Sequence, residues 1–211
     1  MAKIYWQVAK MMTALNELRT DALREIGNIG LGGAVTALSD LTGVLFTLDA
    51  PRIHQMDTAT LPSLCETPES LVVGTVSRVN GEWPGEGAFL FPWQSACVLW
   101  QMLVQMQPNG LNELNELYQS VINEVSNIML GNYLQAISQM TGFTLQMEPP
   151  AFAADMAYAV LTSIMVEALY GHRELLAIET AFKTPEHEFK GYFLYLPETG
   201  NLEKLFGVLG I

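Results

Sequence analysis

Apolar residues at Leu15, Leu18, Ala22, Ile26, Ile29, Ala34, Ala37, Leu38 and Leu41 recur at helical spacing and predict a helix from about Thr13 to Leu41. Gly27, Gly30, Gly32 and Gly33 lie inside that pattern. Each weakens a helix by up to about 1 kcal/mol, so they point to close packing or a short break. Gly43 ends the helix, and the alternation in VLFTLDAP predicts a strand stopped by Pro51. Residues 71–79 and 87–91 form a predicted hairpin with Asn80-Gly81 as its turn. Trp93 to Met106 is a predicted helix, apolar at Val98, Leu99, Met102, Leu103 and Met106 and polar at Gln94, Gln101 and Gln105. A second long helix follows, about Leu111 to Met140, and then a strand, FTLQM. Residues 157–168 read as a strand pairing with 175–182 and 189–196 around a turn at Pro185, before a short helix over about Leu202 to Leu209. Strands joined by hairpins favour an antiparallel sheet, so the expected class is α+β with helices packed on the sheet.

This order of elements occurs twice. Residues 25–43, EIGNIGLGGAVTALSDLTG, and 124–142, EVSNIMLGNYLQAISQMTG, match at an offset of 99 residues with 9 of 19 positions identical. Leu48-Asp49-Ala50-Pro51 and Met147-Glu148-Pro149-Pro150 fall at the same offset. GAFLFP (87–92) likewise resembles GYFLYLP (191–197). A tandem duplication is the simplest source of such a pattern. Two copies are too few for a solenoid, so the expectation is one pseudo-twofold domain over 1–211, with repeats of about 1–110 and 111–211.

Composition narrows the function classes. The chain has 211 residues and is half apolar, with 10 basic against 22 acidic side chains and a formal charge of −12. No basic stripe exists to neutralise phosphates, which excludes nucleic-acid binding, and binding to an anionic membrane surface is disfavoured likewise. The longest uncharged stretches, Gly87 to Asn112 and Val125 to Met147, are interrupted by Pro92 and Pro108 and by several Gln, Asn and Ser. Neither is a clean apolar span of about 20 residues. No secretory signal is read at the N-terminus, and Cys65 and Cys97 have neither metal nor CxxC spacing, so free thiols in a cytoplasmic protein are expected.

The chemistry-bearing pattern lies on the two long helices. Asp21, Glu25 and Asn28 fall at i, i+4 and i+7, within an arc of roughly 60° over roughly 10 Å of helix. Ser120, Glu124 and Asn127 repeat that spacing. Pro51 and Pro150 each follow their asparagine by 23 positions, giving D/S-x3-E-x2-N-x22-P once per repeat. An isolated Glu-x-x-Asn is ordinarily a solvated helix face. Repetition in matched register, with the proline, separates this one from that background. Over nearly its whole length the chain resembles the CheC/CheX/FliY family of chemotaxis phosphatases, and CheC-type members, with two copies per chain, resemble it most.

The resemblance implies dephosphorylation of a phosphorylated CheY-like receiver domain, with no covalent nucleophile and no cofactor of the phosphatase's own. The expected Mg²⁺ is held by the receiver. Glu25 and Glu124 would pair with a receiver lysine, and Asn28 and Asn127 would orient the attacking water. Asp21 and Ser120 are weaker, substrate-binding candidates, and Pro51 and Pro150 are structural, ending strands. An amide suits the task, because it accepts from water, donates to a phosphoryl oxygen and stays neutral beside a polyanion. The alternative is a non-catalytic adaptor docking a receiver or a CheD-like deamidase. Related flagellar switch proteins share the fold without the motif.

Other features carry less. GNIGLGG lacks the Lys-Ser/Thr of a phosphate loop and does not follow a strand. His54, His172 and His187 fit no metal or triad spacing. A hydrolase of small phosphate esters would need a metal cluster or nucleophile pair, and neither is visible. The repeats differ at Gly33 against Asn132 and at Gly30 against Met129. The methionine is expected to add bulk beside Asn127 and to make the two sites unequal.

Overall fold

The two long helices form because each offers a continuous apolar stripe to a single sheet, and both stop in the same way. In a computed structural model, which describes residues 2–57, 67–168, 174–198 and 201–211, α1 spans Ala2–Thr42 and α3 spans Glu116–Thr141. α1 therefore begins well before the expected Thr13, and it passes through all four of its glycines without a break. Gly43 (φ 69°) and Gly142 (φ 76°) take the left-handed conformation that ends each helix. Their N–H groups donate to Ser39 and Ser138 carbonyls at 2.9 and 2.8 Å. Asn115 caps the start of α3, its Oδ1 accepting from the Leu117 and Tyr118 N–H groups.

Three of the helical glycines are explained by close packing. A Cβ on Gly30 would lie 3.0 Å from the Tyr133 Cα, and one on Gly33 would lie 2.4 Å from Asn132 Oδ1. One on Gly27 would sit 3.4 Å from Pro51 Cγ. As α1 advances from Gly30 to Gly33, its neighbours on α3 step back from Tyr133 to Asn132, so the helices cross in opposite senses. Gly33 and Asn132 are equivalent positions of the two repeats, and they meet at the crossing.

The sheet has strands β1 (Thr47–Leu48), β2 (Arg52–Asp57), β3 (Leu71–Gly81), β4 (Gly85–Pro92), β5 (Leu145–Met147), β6 (Ala151–Met156), β7 (Glu174–Lys183) and β8 (Glu188–Pro197). Every pairing is antiparallel. The central order is β7-β8-β4-β3. β1 and β2 add outside β7, whereas β5 and β6 add outside β3. Each repeat thus lends its post-helix strands to the other repeat's edge, and the order is a palindrome about the β8–β4 pair. One face carries the larger core, built with α1, α3, α2 (Trp93–Val104) and α5 (Asn201–Leu209). Val72, Ala88, Leu90, Ala177, Leu194 and Leu196 line the other face, under α4 (Ala157–Ala168).

Three expectations are corrected. Residues 157–168 form α4, not a strand. Among the side chains described in it, Ala157, Val160 and Leu161 are buried, a helical i, i+3, i+4 set that a period-two strand could not bury together. The hairpin turn is not Asn80-Gly81. Those residues still pair, with Gln146 and Leu145 of β5, and the chain reverses over Glu82–Pro84. The reversal falls there because Trp83 is fully buried, stacked 4.2 Å from Tyr195 and donating from Nε1 to the Asn201 carbonyl. α2 buries Ser95, Ala96, Leu99 and Trp100, a face rotated from the expected one, and Met106 lies exposed beyond its end.

The prolines lie between strands: β1 stops at Leu48 and β5 at Met147, and β2 and β6 begin directly after Pro51 and Pro150. Leu48 opposes Phe182 and Arg52 opposes Glu179, so four steps along β1–β2 match three along β7. Met147 opposes Val79 and Ala151 opposes Val76, the same mismatch against β3. Pro51 and Pro150 each sit in this one-residue bulge, where a missing N–H costs no ladder bond.

Overpacking at the crossing generates a prediction. Gly30→Val should destabilise the fold by roughly 1–3 kcal/mol, because the Tyr133 backbone cannot yield as a flexible side chain would. Urea unfolding measures the difference.

Candidate functional site

Glu25 and Asn28 are exposed on α1, and Glu124 and Asn127 are exposed on α3. Their neighbours in sequence fix the outward direction: Leu23, Ile26, Val125 and Met129 are buried at 0–1% exposure. Among the described residues, none of the four makes a hydrogen bond or ion pair within the chain. An acid and an amide three residues apart are separated by about 4.5 Å of rise and roughly 60° of rotation, so both side chains reach one object placed against the helix.

Asp21 and Ser120 are also exposed, yet already engaged. Asp21 Oδ1 accepts from Arg24 at 2.7 Å, an i, i+3 ion pair. Ser120 Oγ donates to its own helix, at the Leu117 carbonyl.

Pro51 is buried and its ring rests on α1 at Gly27, the residue before Asn28. The bulge pushes the proline out of the strand line and against the helix, which gives the fixed spacing between asparagine and proline a physical role. It seats the helix turn that bears the amide. In the second repeat Ser126 stands where the first has Gly27, with its hydroxyl buried and without a partner. Pro150 is half-buried.

The expected crowding at Asn127 is overturned. Met129 is fully buried, so its side chain fills the core and adds nothing to the exposed face. Asn132 turns inward too, its Nδ2 donating to the Ile128 carbonyl at 2.8 Å. What does differ between the faces is the Asp21–Arg24 ion pair, whose counterparts at the repeat offset are Ser120 and Asn123.

Both faces are exposed helix surfaces. No cleft formed around Thr184–His187, around Ser70–Val72 and Tyr192, or around Ala151–Ala153 and Ser163 includes a residue of either face. Measured from the Gly33–Asn132 crossing, each asparagine lies five residues, or about 7.5 Å, back along its own helix. The crossing sense puts them on opposite sides. A large partner, and not an enclosed small molecule, suits such a surface.

Burial pushes the Cys97 thiol and the Tyr133 and Tyr195 hydroxyls up, Asp49 raises Lys183, and the Asn109 N–H lowers Glu113. Cys97 is a free thiol, and Cys65 and His172 lie outside the described residues. His187 is half-buried in the Pro185 turn, its N–H donating to Thr184 Oγ1. Among the described residues no cluster of His, Cys, Asp or Glu could hold a metal ion. Nor, among them, is any helix long and apolar enough to cross a membrane.

A duplicated α+β protein presenting one exposed Glu/Asn pair per repeat is the class these features define. The family model of the CheC-like family matches residues 18–54 and 117–153, segments 99 residues apart that run from each long helix into its bulged strands. The match thus falls on the same stretch of each repeat, and the chain is similar to that family there. It is 26% identical over 204 residues to the CheY-P phosphatase CheC of Bacillus subtilis, covering 95% of this chain and 98% of the relative. In fold it is similar to Thermotoga maritima FliY, with a TM-score of 0.69 and 18% identity over 91% of this chain and 96% of that one. It is also similar to a chain of the CheX–CheY–BeF3–Mg²⁺ complex of Borrelia burgdorferi, with a TM-score of 0.51 and 17% identity over 83% and 99%.

The exposure of the pairs makes a stability prediction. Asn28→Ala and Asn127→Ala should each leave stability within about 0.5 kcal/mol or raise it slightly, since each removes no internal contact and alanine is the better helix former. Thermal unfolding of the single variants checks this.

Proposed function

We propose that this chain hydrolyses the phosphoaspartate of a CheY-like receiver domain in a cytoplasmic chemotaxis or related two-component pathway. The single observation that carries the reading is the pair of exposed Glu and Asn side chains, left without partners at the same register of both repeats. Identity along nearly the whole chain to a relative named as a CheY-P phosphatase supports it.

In this reading Glu25 or Glu124 pairs with a lysine of the receiver and docks the helix. Asn28 or Asn127 then meets the phosphoryl group. Its side-chain oxygen accepts from a water and its amide N–H donates to a phosphoryl oxygen, holding the water in line with the bond to be broken. Attack forms a P–O bond to the water oxygen, the aspartyl carboxylate departs, and inorganic phosphate is released. The Mg²⁺ belongs to the receiver and neutralises the phosphoryl charge there. Positioning makes up most of what a catalyst contributes to phosphoryl transfer. A carboxylate in place of the amide would add repulsion against the phosphoryl oxygens.

Two kinetic signatures test it on a phosphorylated receiver. Asn28→Ala with Asn127→Ala should bring dephosphorylation down close to the receiver's own hydrolysis rate, and each single variant should remove part of the activity. Glu25→Ala with Glu124→Ala should act mainly on KM, since a charge-assisted contact contributes roughly 1.5–3 kcal/mol. Raising the receiver concentration should recover the glutamate loss and not the asparagine loss. A double asparagine variant as fast as the wild type overturns the catalytic reading. If the wild-type chain binds the receiver without accelerating its hydrolysis, docking without catalysis takes its place.

A further inference from the structure

The face that bears Glu25 and Asn28 continues beyond both residues. Leu18, Asp21, Glu25, Asn28 and Gly32 fall at i, i+3, i+7, i+10 and i+14, one stripe of a helix, and all five are exposed. On α3 the same stripe is Leu117, Ser120, Glu124, Asn127 and Gly131, the last half-buried. Each stripe runs about 21 Å. Its two ends, a leucine and a glycine, are identical between repeats.

Neither end is explained by the chain's own packing. Leu18 is 51% exposed and Leu117 is 43% exposed. The residue after each turns inward instead: Arg19 lies over the Phe206 ring and pairs with Glu203 of α5, and Tyr118 packs on Trp100 of α2. The helix register therefore holds both leucines outward. Around Gly32 and around Gly131 a Cβ would meet nothing within 4 Å, in contrast to Gly27, Gly30 and Gly33. Folding alone favours alanine at both open positions, because glycine weakens a helix interior. What a glycine offers there is bare backbone, one turn beyond the asparagine.

We infer that Leu18 with Gly32, and Leu117 with Gly131, are the positioning residues that seat the phosphorylated receiver on each helix. The leucine enters an apolar depression of the receiver, and the glycine lets the receiver surface beside the phosphoryl group close onto the helix backbone. This rests on the proposed function and names what aligns its substrate. A receiver is the occupant because the stripe is continuous with the Glu/Asn pair. Charge agrees, since Glu17 and Glu25 leave the first face acidic once Arg24 has paired with Asp21, which suits a partner surface carrying lysine.

The test uses the full chain and a phosphorylated CheY-like receiver, with the beryllofluoride-loaded receiver as the probe for binding. Leu18→Ser with Leu117→Ser should raise KM, and Kd for the loaded receiver, by about tenfold or more while kcat stays within about twofold. Gly32→Ala with Gly131→Ala should raise Tm and yet lower kcat/KM by about tenfold, a combination that a purely structural glycine cannot give. The inference is overturned if both double variants match the wild type in KM, Kd and kcat/KM while Asn28→Ala with Asn127→Ala abolishes activity; the proposed function then stands without it. A wild-type chain that accelerates no receiver overturns both.

Discussion

The approach of α1 to α3 at Gly30 and Gly33 is the constraint on which the remaining geometry depends. Without side chains at those two positions, the Tyr133 backbone comes to within van der Waals contact of α1 and Asn132 fits against it. Tyr133 in turn stacks on Phe193 of β8 with parallel rings 4.1 Å apart. β8 is one of the two strands at the centre of the palindromic sheet. A single chain of contacts therefore runs from the helix crossing to the middle of the sheet. Because the crossing joins equivalent residues of the repeats, the outward faces on the two sides of it are set together.

The sheet acts back on the helix through its bulges. A bulge is usually a device for bending a strand or re-aiming a side chain. Here the extra residue is a proline in both repeats, and in the first its ring lies against the helix at the residue preceding Asn28. The exchanged edge strands extend that dependence. β2 of the first repeat is held by β7 of the second, and β6 of the second by β3 of the first. Each motif helix is thus supported by a strand that pairs only with the other repeat, so neither repeat could present its Glu/Asn pair alone.

Much of this was legible in the residues themselves. Helical periodicity and the repeat offset located both long helices, and the spacing of Glu25, Asn28 and Pro51 placed the candidate site on an outward face. What misled was local chemistry overruled by burial. Asn80-Gly81 has the residues of a tight turn, but β5 claims them for pairing, and burial of Trp83 moves the reversal onward. Residues 157–168 are rich in residues that suit strands, whereas the second sheet face needed covering, and one helical stripe could cover it. Met129 is two residues from Asn127 in sequence, yet its side chain is not beside the amide. On a helix, residues two apart point in nearly opposite directions, and the methionine is in the core.

That last point changes where asymmetry between the sites must come from. The repeats differ inside the crossing, glycine against methionine and glycine against asparagine, but those differences are absorbed by packing beneath the exposed surface. At the surface, the first face has Asp21 tied to Arg24, and the second has Ser120 tied to its own backbone. An exposed ion pair contributes at most about 1 kcal/mol to stability, so a partner's charge can compete for either member at little cost. A hydroxyl bonded to its own helix offers no charge to compete for. The first face therefore meets a partner with one more carboxylate and one more guanidinium than the second, a difference in the arrangement of charge and not in its net value, while the amides that would hold the water are presented alike on both.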